Sequence, residues 1–157
     1  MAEKNIITIN GNEFAFETGE TILEVARRNS VDIPTLCHLK GATPTGACRV
    51  CVVEVEGARS LVASCATPAG NSMVVRTESK PVIEARRLII QLLLSSGNHN
   101  CAVRGSDDKD WTRFQLNVQQ DDNSDELCPV WGDCRLQDLA YRYQVSGDIF
   151  PATGNKY

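Results

Sequence analysis

Three things are missing from this sequence: a surplus of positive charge, a long apolar run and a recognisable catalytic motif. Each absence removes a class of function. Sixteen Lys and Arg against twenty Asp and Glu leave a formal charge of −4, so there is no basic footprint for nucleic acid or an anionic membrane. The longest greasy segment, Leu88-Ile89-Ile90-Gln91-Leu92-Leu93-Leu94, is far shorter than the roughly 20 residues a membrane span needs. Ala2-Glu3-Lys4-Asn5 does not resemble a signal peptide, and a cytoplasmic protein is expected. No P-loop, Gly-x-Gly-x-x-Gly or nucleophile–base pairing occurs, so the chain is expected to have no substrate site of its own.

Cysteine is what the sequence has in excess, with seven in 157 residues. An odd count without an export signal argues against a disulfide framework. Clustered thiols in a reducing compartment more often bind metal. Composition does not separate zinc from iron–sulfur; spacing has to.

Apolar periodicity divides the chain. Ile7 and Ile9, then Phe14 and Phe16, alternate around Asn10-Gly11-Asn12, which predicts a hairpin. Thr21-Ile22-Leu23-Glu24 has the capping-box pattern, and the helix it starts should fade near Asn29. A loop rich in Gly, Thr and Pro runs from Pro34 through Thr45. Val50-Cys51-Val52-Val53-Glu54-Val55-Glu56 reads as a strand turning at Gly57, followed by Ser60-Leu61-Val62 and Met73-Val74-Val75. From Lys80 to Ser95, residues Val82, Ile83, Ala85, Leu88, Ile89, Leu92 and Leu93 follow helical spacing and predict a core-facing helix, with Pro81 tolerated in its first turn. A second helix is expected after Cys134, through Leu136, Leu139, Ala140 and Tyr143. The expected organisation is an α+β unit over residues 1–78, a small helical unit over 79–145 and a tail over 146–157. Residues 102–127 form an insert with seven acidic and three basic side chains, an excess equal to the whole chain's net charge.

Cys37 is followed after ten residues by Cys48, after two more by Cys51 and after thirteen more by Cys65. A Cys-x₂-Cys pair presents two thiolates from one tight turn, and the long loop before it can wrap a cluster that a distant cysteine closes. Gly41, Gly46 and Ala47 leave room for backbone N–H groups to approach the sulfurs, contacts that help set a reduction potential. Structural zinc usually uses two compact knuckles; only one Cys-x₂-Cys is present, and Cys65 stands alone. The spacing therefore favours a [2Fe–2S] cluster at Cys37, Cys48, Cys51 and Cys65.

Three stretches then carry a family resemblance: Thr21-Ile22-Leu23-Glu24-Val25-Ala26, Ile33-Pro34-Thr35-Leu36-Cys37-His38, and Gly46-Ala47-Cys48-Arg49-Val50-Cys51 with the strand after it. Together they resemble the N-terminal β-grasp ferredoxin domain of the large iron–sulfur subunit of NADH–quinone oxidoreductase. Related subunits of NAD(P)-linked hydrogenases and formate dehydrogenases share that domain. The resemblance continues in Leu92-Leu93-Leu94-Ser95-Ser96-Gly97-Asn98-His99-Asn100-Cys101 and resumes from Cys134 to Tyr143. It implies a [4Fe–4S] cluster held by His99, Cys101, Cys128 and Cys134 in the helical unit. In relatives the first two of these cysteines lie two residues apart, whereas here the acidic insert separates them. Lengthening a closed loop costs only about 0.6 kcal/mol per doubling, so the second cluster is still expected; a zinc site with the same ligands is the alternative. His38 adjoins Cys37 but is expected to be a neighbour of the site, since four cysteines already fill it.

The resemblance further implies a single-electron relay between a flavin-bearing, NAD(P)H-binding subunit and a second redox or catalytic subunit, hence a hetero-oligomer. Two other classes stay open on the residues alone. A free-standing ferredoxin would carry the same clusters but diffuse between enzymes, and a zinc-stabilised interaction module would bind no iron.

Overall fold

The computed structural model describes residues 5–95 and 134–145. The expected hairpin forms from β1 (Ile6–Ile9) and β2 (Asn12–Ala15), paired antiparallel with Ile9 opposite Asn12. Only Asn10 and Gly11 remain for the turn. Both take positive φ, at 51° and 83°, the left-handed pair that a two-residue turn needs to match strand twist.

Helix α1 (Ile22–Arg28) starts where the capping box places it. The Thr21 hydroxyl accepts from the Glu24 amide at 3.2 Å, and the Glu24 carboxylate accepts from the Thr21 amide at 2.7 Å. Asn29 ends the helix, with its side-chain amide donating to the Val25 carbonyl at 2.8 Å. Strands β3 (Val52–Val55), β4 (Val62–Ala63) and β5 (Val74–Arg76) complete, among the described residues, a mixed five-stranded sheet in the order β2-β1-β5-β3-β4. Within it β1 and β5 run parallel and the other neighbours antiparallel. The buried face of α1 (Ile22, Leu23, Val25 and Ala26) closes over Ile7, Ile9, Val53 and Val75 to make the first core. Each Val, Leu or Ile among them contributes about 1.5–3 kcal/mol on full burial.

Helix α2 (Lys80–Ser95) has the expected bounds, and α3 (Arg135–Arg142) follows Cys134 as its N-cap residue. A second core joins them to the cysteine loops, built on Val50, Ile90, Leu139 and Tyr143 with Cys48 and Leu36 packed against it.

Two expectations are corrected here. The strand after Cys48 begins at Val52 rather than Val50, because Arg49 sits at φ 58° and turns the chain through Cys51 before it can extend. The inward stripe of α2 is also rotated from the expected one. Its fully buried positions are Val82, Arg86 and Ile90, while Leu88 and Leu92 stay 46% and 47% exposed. Val82, Arg86 and Ile90 lie four residues apart and share a face, so an arginine occupies the centre of the buried stripe. Ile83, Ile89 and Leu93 do pack against the second core, as the periodicity predicts.

The α+β reading of the N-terminal part thus holds. Of the second predicted ligand set, only Cys134 is described; His99, Cys101, Cys128, the insert 102–127 and the tail 146–157 lie outside the described residues.

Candidate metal centre

Local interactions fix each of the N-terminal cysteines. Cys37 lies at the start of the long loop, tied to α1 through Arg27, whose guanidinium donates to Thr35 Oγ1 at 2.8 Å and lies 3.1 Å from His38 Nδ1. His38 therefore has a partner in Arg27. Inside the Cys-x₂-Cys pair, Arg49 takes a left-handed φ of 58° and turns the chain between Cys48 and Cys51. Cys51 enters β3, and the Ser64 hydroxyl and amide both donate to its carbonyl, at 2.8 and 3.1 Å.

Cys65 sits in a turn held by the first turn of α1. The free amides of Ile22 and Leu23 donate to the carbonyls of Thr67 and Ser64, at 3.0 and 3.1 Å. Helix N-termini leave such donors unsatisfied, and here they satisfy the segment that carries the fourth cysteine. Ser64 is completely buried. Sequence reasoning passed over it because a serine beside a cysteine gives no periodic signal.

Gly46 suits its position through a left-handed φ of 63°, where a side chain would be strained, although a Cβ there would make only ordinary contact with Ala63 and Ala66. Its amide meanwhile bonds to Cys65.

All five described cysteines are free thiols. Cys51 Sγ and Cys65 Sγ approach to 3.3 Å, well beyond the roughly 2.05 Å of a disulfide. Cys48 is hydrogen-bonded to the Cys37 thiol, and the charge of Cys37 is felt at Cys65. Among the described residues, no group of three or more His, Cys, Asp or Glu side chains is set to hold a single ion. The thiols fall into two pairs, Cys37 with Cys48 and Cys51 with Cys65, and two irons taking two thiolates each would suit such pairs.

Electrostatics within the group point the same way. Burial, together with the hydrogen bond to Cys51 and the charges of Cys51 and Cys37, pushes the Cys65 thiol up to about 12. At Cys48 burial acts upward too, but the amides of Val50, Cys37 and Leu36 and the Cys37 thiol outweigh it and leave the thiol below its usual value. Thiolates crowded this closely repel one another unless a cation lies among them. The donor set fits a metal cluster.

The fold and the paired thiols define a ferredoxin-like module built for two irons. Comparison with known proteins agrees: residues 3–80 match the family model described as a 2Fe-2S iron-sulfur cluster binding domain. Across 88% of its length the chain is 39% identical to the NADP-reducing hydrogenase subunit HndD of Solidesulfovibrio fructosivorans. It is 38% identical, over 92% of its length, to the gamma subunit of the NAD-reducing hydrogenase HoxS of Cupriavidus necator. The mitochondrial NADH-ubiquinone oxidoreductase 78 kDa subunit of Candida albicans is 31% identical over 87% of the chain. The chain spans 20%, 51% and 16% of these three proteins, respectively. A crystal structure of an NAD+-reducing [NiFe]-hydrogenase in the H2-reduced state superposes with a TM-score of 0.69 at 29% identity, covering 98% of this chain and 53% of that one. The chain belongs to the iron–sulfur family that unites the large iron–sulfur subunit of NADH–quinone oxidoreductase with its NAD(P)-linked hydrogenase counterparts.

Proposed function

We propose that this chain is an electron-transfer subunit of an NAD(P)-linked oxidoreductase and that Cys37, Cys48, Cys51 and Cys65 hold its [2Fe–2S] cluster. What supports the reading is two pairs of free thiols, Cys37 with Cys48 and Cys51 with Cys65, in a segment that matches a 2Fe-2S iron-sulfur cluster binding domain. When bound, the cluster supplies a one-electron donor and acceptor. The chain's own residues hold it and tune it. Amides of Leu36, Cys37 and Val50 toward Cys48, and of Gly46 toward Cys65, temper thiolate charge, as such hydrogen bonds do in iron–sulfur proteins. Burial of Cys51 and Cys65 keeps water from their side of the site.

His99, Cys101, Cys128 and Cys134 hold a [4Fe–4S] cluster in a helical unit over residues 79–145, by resemblance to the family. Cys134, free and half-buried at the start of α3, is within the described part of that unit. The partners are a flavin-bearing NAD(P)H-binding subunit and a second redox subunit, consistent with relatives that are subunits of NAD(P)-reducing hydrogenases. No helix among the described residues is long and apolar enough to cross a membrane.

Iron and acid-labile sulfide per chain, measured on anaerobically purified protein, test the reading. About six of each supports both clusters and about two supports only the first. Colourless, zinc-loaded protein overturns it. Gel filtration of native extract tests the assembly: a subunit elutes in a large complex, a diffusible ferredoxin near its own mass.

A further inference from the structure

Arg86 is completely buried, yet no carboxylate among the described residues pairs with it. Arg28, Arg76, Lys80 and Arg142 all have acidic partners. Arg86 Nη2 donates to the Val52 carbonyl and Nη1 to the Tyr143 hydroxyl, both at 2.8 Å, and its Nε has no partner among the described residues. The Tyr143 ring adds its face, 5.8 Å from the guanidinium carbon. Two neutral oxygens and a ring do not neutralise a cation, and a buried charge persists where an opposite charge compensates it.

The residue before the backbone acceptor of Arg86 is Cys51, a candidate source of the opposite charge. Val50 and Val52 flank Cys51. Arg86 grips Val52, and Ile90, one helical turn further along α2, packs on Val50. The guanidinium therefore lies against the backbone that carries a thiol of the first metal centre, where Cys51 and Cys65 are themselves buried and water screens little. Two irons, two sulfides and four thiolates make an anion. One added electron, converting one ferric iron to ferrous, makes it more negative still. A fixed cation favours the reduced form over the oxidised one.

We propose that Arg86 is the built-in counter-charge of the [2Fe–2S] centre at Cys37, Cys48, Cys51 and Cys65, and that it raises the reduction potential of that centre. This rests on the cluster assignment above. Arg86 acts from α2, so the helical unit tunes the centre in the neighbouring unit.

The test is a dithionite titration of the full chain, purified anaerobically, following the electron paramagnetic resonance signal of the [2Fe–2S] centre. Arg86→Gln should shift the midpoint to a more negative potential with the cluster's absorbance intact, whereas Arg86→Lys, which keeps the charge, should stay near wild type. Arg142→Gln removes a cation over the same ring that already has Asp32 and Glu78 as partners, and should also leave the midpoint near wild type. An unmoved midpoint in Arg86→Gln overturns the proposal, as does an equal fall in Arg86→Lys or Arg142→Gln. If Arg86→Gln does not fold, Arg86→Met decides: it removes the charge, fills a similar volume and leaves no buried polar group unpaired, so its midpoint should also fall, and no fall overturns the proposal. Wild-type protein without iron would refute the cluster assignment instead, a distinct result.

Discussion

The two cores of this molecule are built on different principles. The first, between α1 and the sheet, is aliphatic apart from Phe16 and two cysteines, with the uncharged Ser64 and Thr77 as the buried polar side chains near it. The second, between α2, α3 and the cysteine loops, surrounds an arginine and leans on bonds made by arginine side chains. Arg86 reaches Val52, Arg87 Nε donates to the Tyr143 carbonyl at 2.8 Å, and Arg142 bonds Asp32 and lies 3.7 Å from Glu78. Taking a cation out of water costs several kcal/mol even after relaxation, so the second core gives up stability that an aliphatic residue at position 86 would keep. The first region is built for stability, and the second places charge beside a metal centre.

Experiments can test this difference between the cores. The largest effect is expected from Cys65→Ser, which removes a buried thiol of the first core that is also a proposed cluster ligand. Bound iron should fall by about two per chain, and retention of the [2Fe–2S] absorbance would remove Cys65 from the ligand set. Leu23→Ala in the first core should destabilise the whole chain by about 3 kcal/mol, read from the denaturation midpoint. Leu139→Ala in the second should cost about 2 kcal/mol and act locally. Hydrogen exchange should show α2 and α3 opening while the sheet stays protected; equal loss of protection throughout would show one cooperative unit. Thr21→Ala removes a helix cap and should cost about 1 kcal/mol.

The smallest effect concerns acid. The Thr21 amide, and then its hydroxyl, hold the Glu24 carboxyl below its usual range. A carboxyl whose pKa is depressed on folding stabilises the fold above its unfolded value, and that contribution is lost as pH falls through the folded one. Glu24→Gln should flatten this acidic limb of the stability curve and leave neutral pH little changed. The group is largely exposed, so solvent screening keeps the effect slight.

Local chemistry made much of this legible in the sequence. The Asn10-Gly11 turn, the Thr21–Glu24 capping box and the bounds of α2 follow from interactions within a few residues of one another, and each stands where expected. Cysteine spacing likewise pointed to iron–sulfur chemistry, the class that residues 3–80 match. The centre of the α2 stripe was not legible. Periodicity ranks side chains by hydropathy, so it placed Leu88 and Leu92 inside and arginine outside. Nor was Ser64, whose role depends on the Cys51 carbonyl thirteen residues away.

What the sequence determined by itself was the set of local elements and the metal-binding class, because turns, caps and ligand spacing are short-range properties. Tertiary structure alone decided which thiols pair with which, and which face of α2 is buried. It also decided that a buried guanidinium, with no carboxylate partner among the described residues, grips the Val52 carbonyl one residue after Cys51. Those depend on contacts between segments far apart in the chain, where a buried charge is tolerable only through what other elements bring to meet it.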